Sequence, residues 1–99
     1  MPTIIYGNFE WDEDKNKSNL EKHDIAFEEA TEIFYLDRYN SKPYLHAGLE
    51  FRSFSVGKIN DVEITVVYTL RNARIRIISA RRASYEEREY YRKIVGNQG

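Results

Sequence analysis

From Glu50 to Arg82 the chain alternates with a period of two, and twice the alternation stops for a pair of turn-forming residues. In EFRSFSVGKI, Arg52, Phe54 and Val56 alternate with Phe51, Ser53 and Ser55. In VEITVVYTLR, Val62, Ile64, Val66, Tyr68 and Leu70 alternate with Glu63, Thr65, Val67, Thr69 and Arg71. Asn60-Asp61 and Asn72-Ala73 separate these segments from each other and from RIRIISARR, residues 74–82. Successive side chains of a strand point to opposite faces, and two-residue connections force neighbouring strands to run antiparallel. The run therefore predicts a three-stranded meander with an apolar face that needs a cover.

The rest of the chain supplies that cover. FEW at 9–11 reads as a short strand, and Asp12 follows as an N-cap with Glu13 and Asp14 suited to a helix N-terminus. The helix EDKNKSNLEKH is mostly polar, with Leu20 its clearest core residue, and ends at His23-Asp24. A second helix is expected over AFEEATEIFYL, where Phe27, Ala30, Ile33 and Phe34 share a face. Residues 37–49 read mainly as a loop. Ser84 and Glu87 form a capping box that opens a last helix, YEEREYYRKIV. The expected fold is α+β: a small antiparallel sheet with helices packed on one face, in the order β-α-α-β-β-β-α. At 99 residues the chain makes one domain, with residues 1–8 and 95–99 peripheral.

The arginines of RIRIISARR stand out in a chain of net charge −1. Residues 1–37 hold ten acidic against three basic side chains, and residues 71–93 hold eight basic against three acidic. Such polarity suits an anionic partner, or else the two ends neutralise each other. Strict alternation places Ile75 and Ile77 with Ser79 and Arg81, and Arg74 and Arg76 with Ile78, Ala80 and Arg82. Arg71 and Arg52 extend the patch. These guanidinium groups either bind phosphate through their planar forks or pair with Glu63 and Glu50 in a solvated ladder. The absence of cysteine removes disulfides and thiolate metal sites. Two histidines, His23 and His46, make no metal site, and no cofactor is expected. The N-terminal sequence lacks the pattern of a secretory leader, and no apolar run reaches the length of a membrane span, so the expected location is the cytoplasm.

FEWDEDKNKSNLEKH, then FEEATEIF, then Glu50, Arg52 and Gly57, then VVYT, then RIRIISARRAS with the Glu-Glu-Arg that follows, resemble the BrnT-type toxins of bacterial type II toxin–antitoxin systems. The resemblance covers roughly residues 9–92. It implies a RelE-like ribonuclease fold that cleaves RNA and inhibits translation. It also implies a BrnA-like antitoxin partner with a ribbon-helix-helix DNA-binding portion, so that DNA is met only through the antitoxin. Asp24 stands where the family usually has glycine, and Ala26 where it has serine or threonine.

Metal-independent RNA cleavage needs a base for the 2′-hydroxyl, an acid for the leaving 5′-oxygen, and cations around the phosphorus. Arg76 and Arg81 are the first candidates for the cations, with Glu50 and His23 for proton transfer. Arg52, Arg71, Arg82 and Lys22 are candidates for holding the RNA backbone, and Trp11 for stacking on a base. Each has a structural alternative: His23 as a helix C-terminal residue, Glu50 as a salt-bridge partner, Trp11 as a core residue. His46 lies in the expected loop and receives no role. The competing reading is an RNA-binding or protein-interaction module without catalysis.

Overall fold

The computed structural model describes residues 2–96. The expected tail at 95–99 therefore reaches into residues outside the described ones. The meander forms as β5 (Glu50–Ile59), β6 (Val62–Arg71) and β7 (Arg74–Arg82). Asn60, Asp61, Asn72 and Ala73 all have positive φ, the backbone of two-residue turns that match the twist of the strands they join. Ahead of the meander lie β1 (Thr3–Tyr6), β2 (Phe9–Asp12), α1 (Glu13–His23) and α2 (Phe27–Ala30). A 3₁₀ turn over Thr31–Tyr35 follows, then β3 (Tyr39–Asn40) and β4 (Tyr44–His46). Helix α3 (Tyr85–Ile94) closes the order. β3 and β4 replace part of the expected loop, and β1 extends the sheet where only a peripheral segment was expected.

The sheet runs β1-β2-β7-β6-β5-β3, with β4 also on β5. It is mixed rather than antiparallel, because β2 lies parallel to β7 with Phe9 opposite Ile75 and Glu10 opposite Arg76. The helices do not share one face. Ile33, on the 3₁₀ turn, packs so closely on Gly57 that a Cβ there would sit 2.7 Å from that of Ile33. That face holds the main core of Phe9, Trp11, Ile25, Phe27, Ala30, Ile64, Val66, Ile77 and Ala80. The preceding residue of β5, Val56, points the other way, into a second cluster with Ala83 and Tyr91 under α3. Both faces of the meander are partly apolar, so each takes a cover.

Helix α1 stands beside the edge of β7, and its buried residue is Asn19 rather than Leu20, which is 46% exposed. β2 pairs with β7 for only two residues before turning into α1, so the outer backbone groups of Ala80 need another partner. The Asn19 amide supplies it. Its Nδ2 donates to Ala80 O at 2.8 Å and to Ile25 O at 2.9 Å, while Oδ1 accepts from Ala80 N at 3.1 Å. Asn16 does a similar service for α2, whose N-cap Ala26 offers no side-chain acceptor: Asn16 Oδ1 accepts from Phe27 N at 2.8 Å. The Asp12 cap and the Ser84–Glu87 capping box form as the sequence predicts.

Candidate nucleic-acid interface

Strict alternation fails once, inside the arginine strand. Val67 pairs with Ser79 but Tyr68 pairs with Ile77, so Ile78 is an extra residue, a β-bulge. The bulge reverses the facing of everything after it. Ile75, Ile77, Ala80 and Arg82 lie on the α2 face; Arg76, Ser79 and Arg81 share the opposite face with Arg74. Arg81 and Arg76 oppose Thr65 and Thr69, so they stand four ladder positions apart, roughly 13 Å at ~3.3 Å per residue.

The row through Arg76 crosses several strands. Glu10 lies on one side of it and Thr69 on the other. The antiparallel register Ser53–Tyr68 brings Arg52 opposite Thr69, and Tyr44 of β4 pairs with Arg52 in turn. One row further, Arg71 and Arg74 face each other directly across the hairpin. Among the described residues neither joins an ion pair. Like charges so placed are unfavourable until something anionic lies between them.

Carboxylates hold three of the arginines in place. Arg76 Nη1 is 2.5 Å from Glu10 Oε2, with the Glu10 side chain 5% exposed. Arg81 binds both oxygens of Glu87, at 2.8 and 2.9 Å. Arg52 Nε donates to Glu50 Oε1 at 2.8 Å. That bond holds the Glu50 carboxyl below the usual carboxylate range against desolvation, which raises it, and the Arg52, His46 and Lys15 charges add to the lowering. Tyr44 stands beside Arg52 on β4, as His46 stands beside Glu50. Lys15 at the start of α1, Tyr44 and His46 on β4, and Glu87 at the start of α3 thus ring the arginine face. Six cations (Lys15, Arg52, Arg71, Arg74, Arg76, Arg81) against three carboxylates (Glu10, Glu50, Glu87) leave it positive.

Glu87 ties the face to the fold. Burial pushes its carboxyl up, but hydrogen bonds from Arg81, the Ser84 N–H and the Thr65 hydroxyl, with the Arg81 charge, bring it down to about 2. A carboxyl depressed in the folded state stabilises fully above its unfolded value, near ~4.3, and that stability is lost as pH falls through the folded value. Thermal melts should therefore lose stability steadily from about pH 5 towards pH 2. Glu87→Gln should flatten this slope, and a slope unchanged in that variant would assign the acid sensitivity elsewhere.

The other predicted residues lie apart from this face. His23 and Arg82 line a shallow pocket with Asp24, Asn60 and Ile64, at the β5–β6 turn. Ile64 and Arg71 are seven residues apart on one strand, so roughly 20 Å separates that pocket from the Arg71–Arg74 end. Asp24 there has the left-handed φ of 58° expected of the α1 C-cap. Lys22 is exposed near the end of α1. Trp11 is 3% exposed, edge-on to Phe27 and beside Tyr6, and offers no ring face to a base. Glu10, Tyr44 and His46 are the members that sequence reasoning missed. A carboxylate inside the otherwise apolar FEW strand was the available signal for Glu10; Tyr44 and His46 carried none without β4.

At the same end of the sheet a groove of about 710 Å³ is lined by Phe34, Arg38, Phe51, Tyr68, Leu70 and Arg71, among others. Its lining includes exposed apolar side chains, with Phe51 64% and Leu70 76% accessible, and Leu49 of the β4–β5 turn, next to Glu50 in the chain, is 87% accessible. Among the described residues, no helix is long and apolar enough to cross a membrane.

No curated protein matches the chain. The family model for BrnT, the ribonuclease toxin of type II toxin–antitoxin systems, matches residues 11–87, from the buried Trp11 to the Glu87 that holds Arg81. A match over that much of the sequence places this chain in the BrnT family of ribonuclease toxins.

Proposed function

We propose that the chain is a metal-independent endoribonuclease that cuts RNA on the arginine face and so inhibits translation. In this reading it works in the cytoplasm on a RelE-like scaffold, and a BrnA-like antitoxin silences it. The observation that carries the reading is the Ile78 bulge, which sets Arg76 and Arg81 on one face with Arg52, Arg71 and Arg74. A guanidinium has five N–H donors. Arg81 uses three of its contacts on Glu87 and the Arg82 carbonyl, which leaves donors for a phosphate. Held by carboxylates, Arg76 and Arg81 are preorganised, so little reorganisation is needed as charge grows on the phosphorus oxygens. Glu50, beside Arg52, serves as the base. The exposed apolar rim of Leu49, Phe51 and Leu70 is of the kind that a protein partner covers, and fits the antitoxin.

Induced expression in bacteria tests the reading, with Arg81→Gln beside the native chain and bulk RNA integrity as readout. The native chain should arrest growth and fragment RNA. Arg81→Gln, checked as folded by circular dichroism, should cut RNA on the order of 100-fold more slowly. A folded and fully toxic Arg81→Gln removes Arg81 from the site. A folded native chain that leaves growth and RNA intact supports a binding module instead, in which the carboxylate-paired arginines only hold RNA or a protein.

A further inference from the structure

The arginine face still needs an acid to protonate the leaving oxygen, and His23 lies with Arg82 and Ile64 on the other face of the sheet. β4 supplies another histidine. His46 pairs directly with Glu50 across the β4–β5 hairpin, just as Tyr44 pairs with Arg52. Residues opposite each other in an antiparallel pair share a face, and their Cβ atoms lie ~4.5–5.5 Å apart. Two such side chains can flank one phosphodiester. The turn between them, Ala47-Gly48, has positive φ at both residues and closes with Leu49 N–H to His46 O at 3.0 Å, which fixes the register. The charged and titratable groups around the His46–Glu50 pair are Arg52 on β5, Tyr44 on β4, Lys15 from α1 and Arg71 of β6, which lines a groove with Glu50.

We propose that His46 is the general acid of the RNA cleavage reaction, facing Glu50 across the β4–β5 hairpin. The assignment rests on the arginine face being the ribonuclease site. In the step, the 2′-oxygen bonds to phosphorus and its proton passes to the Glu50 carboxylate. The bond from phosphorus to the 5′-oxygen breaks, and the protonated imidazole of His46 gives its ring proton to that oxygen. The products are a 2′,3′-cyclic phosphate and a free 5′-hydroxyl, with no other reactant needed. Arg52, bonded to Glu50, faces the same phosphate. Histidine suits the task because it exchanges a proton near neutral pH.

A sulfur substitution isolates the role. An oligoribonucleotide cut by the native chain is remade with sulfur in place of the 5′-oxygen at its cut site, so that the leaving thiolate needs no acid. His46→Ala should cut the oxygen substrate about 100-fold or more slowly than the native chain, the contribution typical of a positioned acid. On the sulfur substrate it should come within ~10-fold of native. The melting temperature should stay unchanged, as His46 is exposed. Equal losses on both substrates, or no loss on either, overturn the assignment while the ribonuclease reading stands. A native chain that cuts neither substrate overturns that reading, and the assignment with it.

Discussion

Arg76→Ala is expected to destabilise the fold by about 3–5 kcal/mol, because it strands a buried carboxylate. Glu10 is 4% exposed, and its Oε2 has Arg76 Nη1 as its ion-pair partner at 2.5 Å. Breaking a buried pair from one side costs far more than removing both charges, since the survivor keeps its desolvation penalty. The double variant Glu10→Gln/Arg76→Gln should recover most of the loss. Urea unfolding of Arg76→Ala, Glu10→Gln and the double variant measures the coupling. Arg76→Ala within ~1 kcal/mol of native would mean that water reaches Glu10 and the pair is a surface one. The result decides how activity data are read. Lost toxicity in Arg76→Ala alone reports an unfolded chain as readily as a missing cation; loss in the folded double variant reports the cation.

Asn19→Leu should cost about as much, roughly 3–5 kcal/mol, although no charge is involved. The substitution removes three hydrogen bonds and leaves the Ala80 N–H, the Ala80 carbonyl and the Ile25 carbonyl without a partner where water does not reach. Each buried orphan costs about 1–3 kcal/mol. A domain of this size is stable by only ~5–15 kcal/mol, so the variant should melt far below the native chain or fail to fold at 37 °C. Asn19→Asp is the informative control, because it keeps the acceptor for the Ala80 N–H and loses both donors. A melting temperature for Asn19→Leu within a few degrees of native would show that the α1–β7 edge rearranges to satisfy itself.

The meander, both of its turns, the Asp12 cap and the Ser84–Glu87 box were legible in the sequence, because each depends on residues adjacent in the chain. The arginine patch was legible in composition and misread in geometry. Strict alternation assigns Arg81 to the face of Ile77, and the Ile78 bulge moves it to the face of Arg76. A bulge leaves no local signature in a run such as RIIS, where every residue suits a strand. The mixed sheet was illegible for a related reason, since β2 meets β7 for two residues only. Leu20 was chosen as the core residue of α1 on hydropathy. Asn19 is the buried one, because the edge of a strand asks for hydrogen bonds before it asks for apolar area. The short β4 pairs beside a turn of Ala47 and Gly48, and its three residues, Tyr44, Leu45 and His46, are too few to show a period. Its histidine was therefore passed over in favour of His23, which ends a helix beside Arg82 on the other face of the sheet.

The parallel contact between Glu10 and Arg76 joins positions sixty-six apart, and it has a consequence for how the chain is made. Translation delivers Glu10 early and the arginine strand late, with only α3 among the described elements after it. Domains fold as their segments emerge from the ribosome, and a pairing across so long a separation waits for its second half. A nascent chain that has not yet exposed residues 74–82 has neither Arg76 nor Arg81, and no partner for the Glu10 carboxylate. A ribosome that stalls before that point releases a product without the arginine face and with the Glu10 carboxylate unpaired.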